Sequence, residues 1–129
     1  MVNVKSKGNK YQQVVEEMFQ RFVDEYNRRY PNQRMWIKRT HGKDTPERPA
    51  DFVLMQEVFG EEYPWLHVEC KHVKKATQSM KRKWWDDLFE SPAIIVYREH
   101  GRRGDWVIFD KHLGERPLRE WFRMMLEGK

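Results

Sequence analysis

Glu69 and Lys71 stand two residues apart in the run Trp65-Leu66-His67-Val68-Glu69-Cys70-Lys71, and Asp51 follows Pro49-Ala50 at the head of another apolar run. A two-residue spacing sets Glu69 and Lys71 on one face of a strand. If the two strands are neighbours, Asp51 lies beside Glu69, and two carboxylates and an ammonium group converge. Phosphodiester hydrolysis calls for such a set. Carboxylate oxygens hold Mg²⁺, which keeps several waters and takes a substrate phosphate directly. The ion lowers the pKa of a bound water and offsets charge building on the phosphate. A lysine close by can orient or deprotonate the attacking water and stabilise the transition state. The main-chain carbonyl of Cys70 is a candidate further ligand, whereas its thiol points the other way, into the core. Taken singly, an acid at a strand start or a Glu-Lys pair is ordinary surface chemistry. On a face shared with Trp65 and His67 the pair indicates a half-buried cleft, where charged groups seldom lie without a purpose.

These residues need a scaffold, and the apolar periodicity supplies one. Tyr11, Val14, Val15, Met18, Phe19, Phe22, Val23 and Tyr26 recur at helical steps and predict a helix from about Lys10 to Arg29, stopped by Tyr30-Pro31-Asn32. Met35–Arg39 and Asp51–Met55 read as strands, Gly60–Pro64 as a turn, and Trp65–Lys71 as an alternating third strand with Trp65, His67, Glu69 and Lys71 on one face. A helix is expected over about Thr77–Phe89, with Met80, Trp84, Leu88 and Phe89 inward. Ala93–Arg98 is a strand buried on both sides, Asp105–Asp110 a final strand, and Pro117 opens a last helix through Leu118, Trp121, Phe122 and Met125. The expected fold class is α/β: one domain with a central mixed five-stranded sheet flanked by helices, in the order α-β-β-β-α-β-β-α.

The bulk numbers fit that picture. A chain of 129 residues with 39% hydrophobic content can bury one core. A single cysteine rules out an internal disulfide and argues against a cysteine zinc site. No apolar run is long enough to span a bilayer, and residues 1–8 lack the apolar segment of a signal peptide, so a soluble, cytoplasmic protein is expected. A net charge of +5 favours a polyanionic partner. Neither a Ser-His-Asp arrangement nor a phosphate-binding glycine loop is present.

Gly8-Asn9-Lys10-Tyr11-Gln12 opening a helix, Pro49-Ala50-Asp51, and Glu69-Cys70-Lys71 together resemble the PD-(D/E)xK nuclease superfamily, and within it the archaeal-like Holliday junction resolvases, including those carried by phages. The likeness covers roughly residues 5–110 and extends to the order of core elements. It implies a restriction-endonuclease-like fold, with Asp51 and Glu69 as metal ligands, Lys71 as the catalytic lysine, and Mg²⁺ as cofactor, replaceable by Mn²⁺. The family carries a glutamate on the first helix where this chain has Gln12. At about 100° per residue, Gln12 falls within the apolar arc, Glu16 lies just beyond its edge and Glu17 points nearly opposite. Either Gln12 or Glu16 is therefore expected to complete the site. Thr40-His41-Gly42 occupies the place of the family's small loop near the scissile phosphate.

Three basic groups flank the motif. Lys5, Lys7 and Lys10 form an N-terminal group, with an arm expected at about residues 1–9. Lys38, Arg39 and Lys43 form a second, and Lys74, Lys75, Lys81, Arg82 and Lys83 follow Lys71 with no acid among them. With Thr40 and His41 they are the expected DNA contacts, recognising backbone shape without base readout. Paired cutting of a four-way junction implies a two-fold homodimer. The expected function is a metal-dependent, structure-selective DNA endonuclease that resolves such junctions. Its rivals are a related nuclease acting on another DNA substrate and an inactive basic DNA-binding module, to which Gln12 lends weight.

Overall fold

The computed structural model describes residues 4–39 and 51–128, with side chains from Lys10 onward. The long first helix, α1 (Val4–Arg29), is followed by β1 (Met35–Arg39), β2 (Phe52–Val58), β3 (Glu61–Val73), α2 (Gln78–Asp86), β4 (Ala93–Glu99), β5 (Trp106–Ile108), β6 (Glu115–Pro117) and α3 (Leu118–Leu126). The strands form a single sheet in the order β1-β2-β3-β4-β5-β6. The β3–β4 pair is parallel and the other pairs are antiparallel, so α2 serves as the crossover between them.

The α/β class and the mixed sheet agree with the expectation, but among the described residues the sheet has six strands, not five. The sixth, β6, is the polar tripeptide Glu115-Arg116-Pro117. Nothing apolar marks it, and it exists because its backbone completes the edge beside β5. Helix α1 begins at Val4, so residues 4–9, expected as an arm, are helical.

Burial follows the sheet's two faces. Tyr11, Val15, Phe19, Phe22 and Val23 of α1 pack with Leu118 and Trp121 of α3 against Phe52, Leu54, Leu66, Val68, Ile94, Val96 and Val107. Phe19 meets Phe52 edge-on at 5.3 Å, and Phe22 stacks on Phe122 at 5.1 Å. The opposite face holds a smaller cluster of Ile95, Tyr97 and Ile108 beneath Trp84, Trp85 and Leu88. Successive residues Ile94–Tyr97 are thus all buried, because β4 lies between helices on both sides.

Two expected faces need correction. Trp65 does not share a face with His67, Glu69 and Lys71. The β2–β3 register shifts between Leu54 and Met55, which pair with Leu66 and Pro64, leaving Trp65 as a bulged residue. Its ring stacks over Phe22 on the α1 side, at 6.4 Å. Trp84 and Leu88 face the sheet as expected, but buried Lys81 joins them on α2, whereas Phe89 lies beyond the helix end and is 73% exposed. Val14, counted into the α1 stripe, is also exposed.

Candidate active site

Strand β2 is antiparallel to β3, and its ladder ends at the pair Phe52–Val68. One step further, the Asp51 amide still donates to the Val68 carbonyl at 3.0 Å, which carries Asp51 level with Glu69. The Asp51 carboxylate then turns onto β3, where Oδ2 accepts the Cys70 amide at 2.8 Å. Glu69 Oε1 and Lys71 Nζ lie 3.8 Å apart, both side chains only partly exposed. The motif's three groups are therefore gathered by two adjacent strands whose register the buried Phe52–Val68 pair holds in place. A one-residue slip would turn Glu69 and Lys71 into the apolar core, so the register is strongly specified.

Cys70, between them, faces the other way and packs against the α1 core. Burial and then the charge of Asp51 push its thiol well above the usual range. A neutral, core-facing thiol is no metal ligand, so the donors at this place are hard oxygens. Among the described residues no group of three or more His, Cys, Asp or Glu side chains gathers as a metal cage. Two carboxylates on neighbouring strands fit Mg²⁺, which binds through one or two carboxylates and retains waters, and do not fit zinc.

The two α1 candidates part company. Gln12 Nε2 donates to the Asp51 main-chain carbonyl at 3.3 Å, bracing the start of β2. Glu16 is buried and paired with Arg39 Nε at 3.0 Å. Glu17 is exposed, as expected. His67 is buried and structural: its Nδ1 lies 3.1 Å from the Pro92 carbonyl and its Nε2 2.7 Å from Glu90, tying β3 to the segment before β4.

Of the expected DNA contacts, Lys10, Lys38, Arg39, Lys74, Lys75, Arg82 and Lys83 are exposed. Arg39 is committed to Glu16, and Arg82 and Lys83 pair with Asp86 and Asp87 one turn on. Lys81 is not a surface contact. It is 6% exposed and its ammonium donates to Glu115 under α2. Thr40, His41 and Lys43, and the side chains of Lys5 and Lys7, lie outside the described residues.

Sequence reasoning missed two polar networks. In one, Lys81, Tyr97 and Arg102 converge on Glu115, and Arg102 also lies over the Trp106 ring at 3.6 Å. Burial works to lower the Lys81 pKa, but its bonds to Glu115 and Tyr97 outweigh that and raise it. Lys81 stands three and four residues before Trp84 and Trp85, and that spacing was the available signal. In the other, Tyr11 donates to Asp105 at 2.8 Å, and Arg98 grips the same carboxylate through two nitrogens. Burial and Asp105 push the Tyr11 hydroxyl upward, keeping it neutral. No sequence signal linked residues so far apart in the chain.

No family model, curated protein or solved structure matches the chain.

Proposed function

We propose that this protein is a metal-dependent DNA endonuclease of the PD-(D/E)xK kind, acting on four-way junctions as a homodimer. The observation that carries the reading is the seating of the Asp51 carboxylate on the Cys70 amide, beside Glu69 and Lys71. Asp51 and Glu69 would hold Mg²⁺, with the Cys70 carbonyl as a further oxygen donor. When bound, the ion supplies charge neutralisation at the phosphate and a water of lowered pKa. Lys71 orients the attacking water and donates to the phosphate oxygens, and Glu69 keeps that ammonium group in place. Gln12 acts on the site through the main chain of Asp51. Lys10, Lys38, Lys74 and Lys75 would take backbone phosphates on either side.

The test is cleavage of a labelled four-way junction and its matched duplex, in Mg²⁺ and in EDTA, by the wild type, Asp51→Asn and Lys71→Ala. Paired nicking of the junction alone, absent in EDTA and in both variants, is the expected result. Equal cutting of both substrates would keep the catalytic site and overturn junction selectivity. Binding without cutting in any condition would overturn the enzyme and leave a DNA-binding module.

A further inference from the structure

The β2–β3 hairpin extends past β4, while β1 accompanies β2 as far as Gln56. Strand β4 joins β3 only from His67 onward, so on that side Glu61–Leu66 has no partner among the described strands. At the tip, Val58 pairs with Glu61 around Phe59 and Gly60, whose φ values are 53° and 82°. This is the two-residue turn in which both central residues are left-handed, and asparagine, aspartate or glycine is the ordinary choice at the first. Here that position is Phe59, in a conformation bulky side chains avoid, with its ring 99% exposed. An aromatic that is both strained and solvated has no purpose within the folded chain.

A groove of about 420 Å³ lies at the hairpin's base, lined by Trp65, Pro92, Phe109, Trp121, Met124 and Met125, with Arg116 also bordering it. At about 3.3 Å per residue, the six steps from Phe59 to Trp65 put the tip roughly 20 Å from its own groove. It cannot fold back into it. A second copy related by a two-fold axis can offer its groove to this tip and receive the other tip in return. Charge selects protein over nucleic acid as the occupant. The tip is flanked by Glu57, Glu61 and Glu62, although the chain carries +5 overall. Phosphates would be repelled there, whereas Arg116 at the groove, paired through one nitrogen with Glu120, has further donors to offer the acids.

We infer that Phe59 is the anchor of a homodimer, inserting into the Trp65–Phe109–Trp121–Met124 groove of a second copy. This names the interface of the dimer that the nuclease reading calls for, but it stands on the hairpin and groove alone. The test is sedimentation equilibrium across the micromolar range for the wild type, Phe59→Asn and Met124→Glu. Asparagine suits the turn, so Phe59→Asn should melt no lower than the wild type while dimerising roughly tenfold or more weakly. Met124→Glu should weaken dimerisation similarly. Mixing the two variants should restore part of the association, because the intact tip of one meets the intact groove of the other. A monomeric wild type, an undiminished Phe59→Asn dimer, or no recovery on mixing would each overturn the interface. Junction cleavage is scored separately: a monomer that nicks retains the nuclease and loses the interface, and an inert dimer does the reverse.

Discussion

At the scale of single residues, Cys70 and its neighbours show how one strand serves two environments. Alternation sends Glu69 and Lys71 to one face and Cys70 to the other, so the half-buried thiol packs against the α1 core while its neighbours face the site. Its pKa is raised, by burial first and Asp51 second, and little thiolate forms near neutrality. Alkylation of Cys70 at pH 8 should therefore be slower in the native protein than in denaturant, where the thiol regains its ordinary pKa. Native labelling as fast as a free thiol would contradict the placement. Gln12 belongs to this scale too. It touches the Asp51 carbonyl and not its carboxylate, so Gln12→Ala should lower cleavage mainly by loosening Asp51, with Lys71→Ala the more damaging of the two.

At the scale of elements, α2 is held by a small apolar cluster and by the Lys81–Glu115 pair, which links it to β6. Removing Lys81 takes the nearest cation from Glu115 and leaves it Tyr97 and the more distant Arg102. Lys81→Met should cost less than the ~3–5 kcal/mol of a wholly unpaired buried charge in denaturant unfolding, and Lys81→Met with Glu115→Gln should cost less than Lys81→Met alone. The same pair gives a pH signature. The folded-state pKa of Lys81 lies above its unfolded value, so its stabilisation is complete below about pH 10.4 and declines as pH rises through the folded pKa. Tyr11, also raised, acts in the same direction above about pH 10, because the unfolded tyrosine ionises there while the folded hydroxyl stays neutral on Asp105. Both groups predict loss of stability at the alkaline end, which thermal melts from pH 8 to 11 would reveal.

At the scale of the whole molecule, a set of exposed lysines contrasts with the acids Glu57, Glu61 and Glu62 of the hairpin tip. Lys10, Lys38, Lys74 and Lys75 are exposed, whereas Lys81 is not. Junction affinity should fall linearly with salt on logarithmic axes. Lys74→Ala and Lys75→Ala should each lower the slope by roughly one, and Lys81→Met should leave it unchanged while lowering stability. A slope that Lys81→Met alters as strongly as Lys74→Ala would return Lys81 to the DNA surface. Among the described residues no helix is long and apolar enough to cross a membrane.

The helices, the first five strand positions and the Asp51–Glu69–Lys71 constellation were legible in the sequence. Each rests on local periodicity or on a spacing of two along one strand, and such signals survive without knowledge of what packs opposite. What only the tertiary structure decided depends on partners distant in the chain. The bulge that turns Trp65 toward α1 arises from the β2–β3 register. The strand at Glu115–Pro117 is made by backbone pairing alone, and the burial of Lys81 is set by an acid 34 residues away. Gln12 and Glu16 could not be separated along the helix because both lie near the apolar arc. Arg39 and the start of β2, which belong to other elements, claim one each. Hydrophobic pattern thus determines which face of each element goes inward, and the polar partners that await it there are determined by how the elements come together.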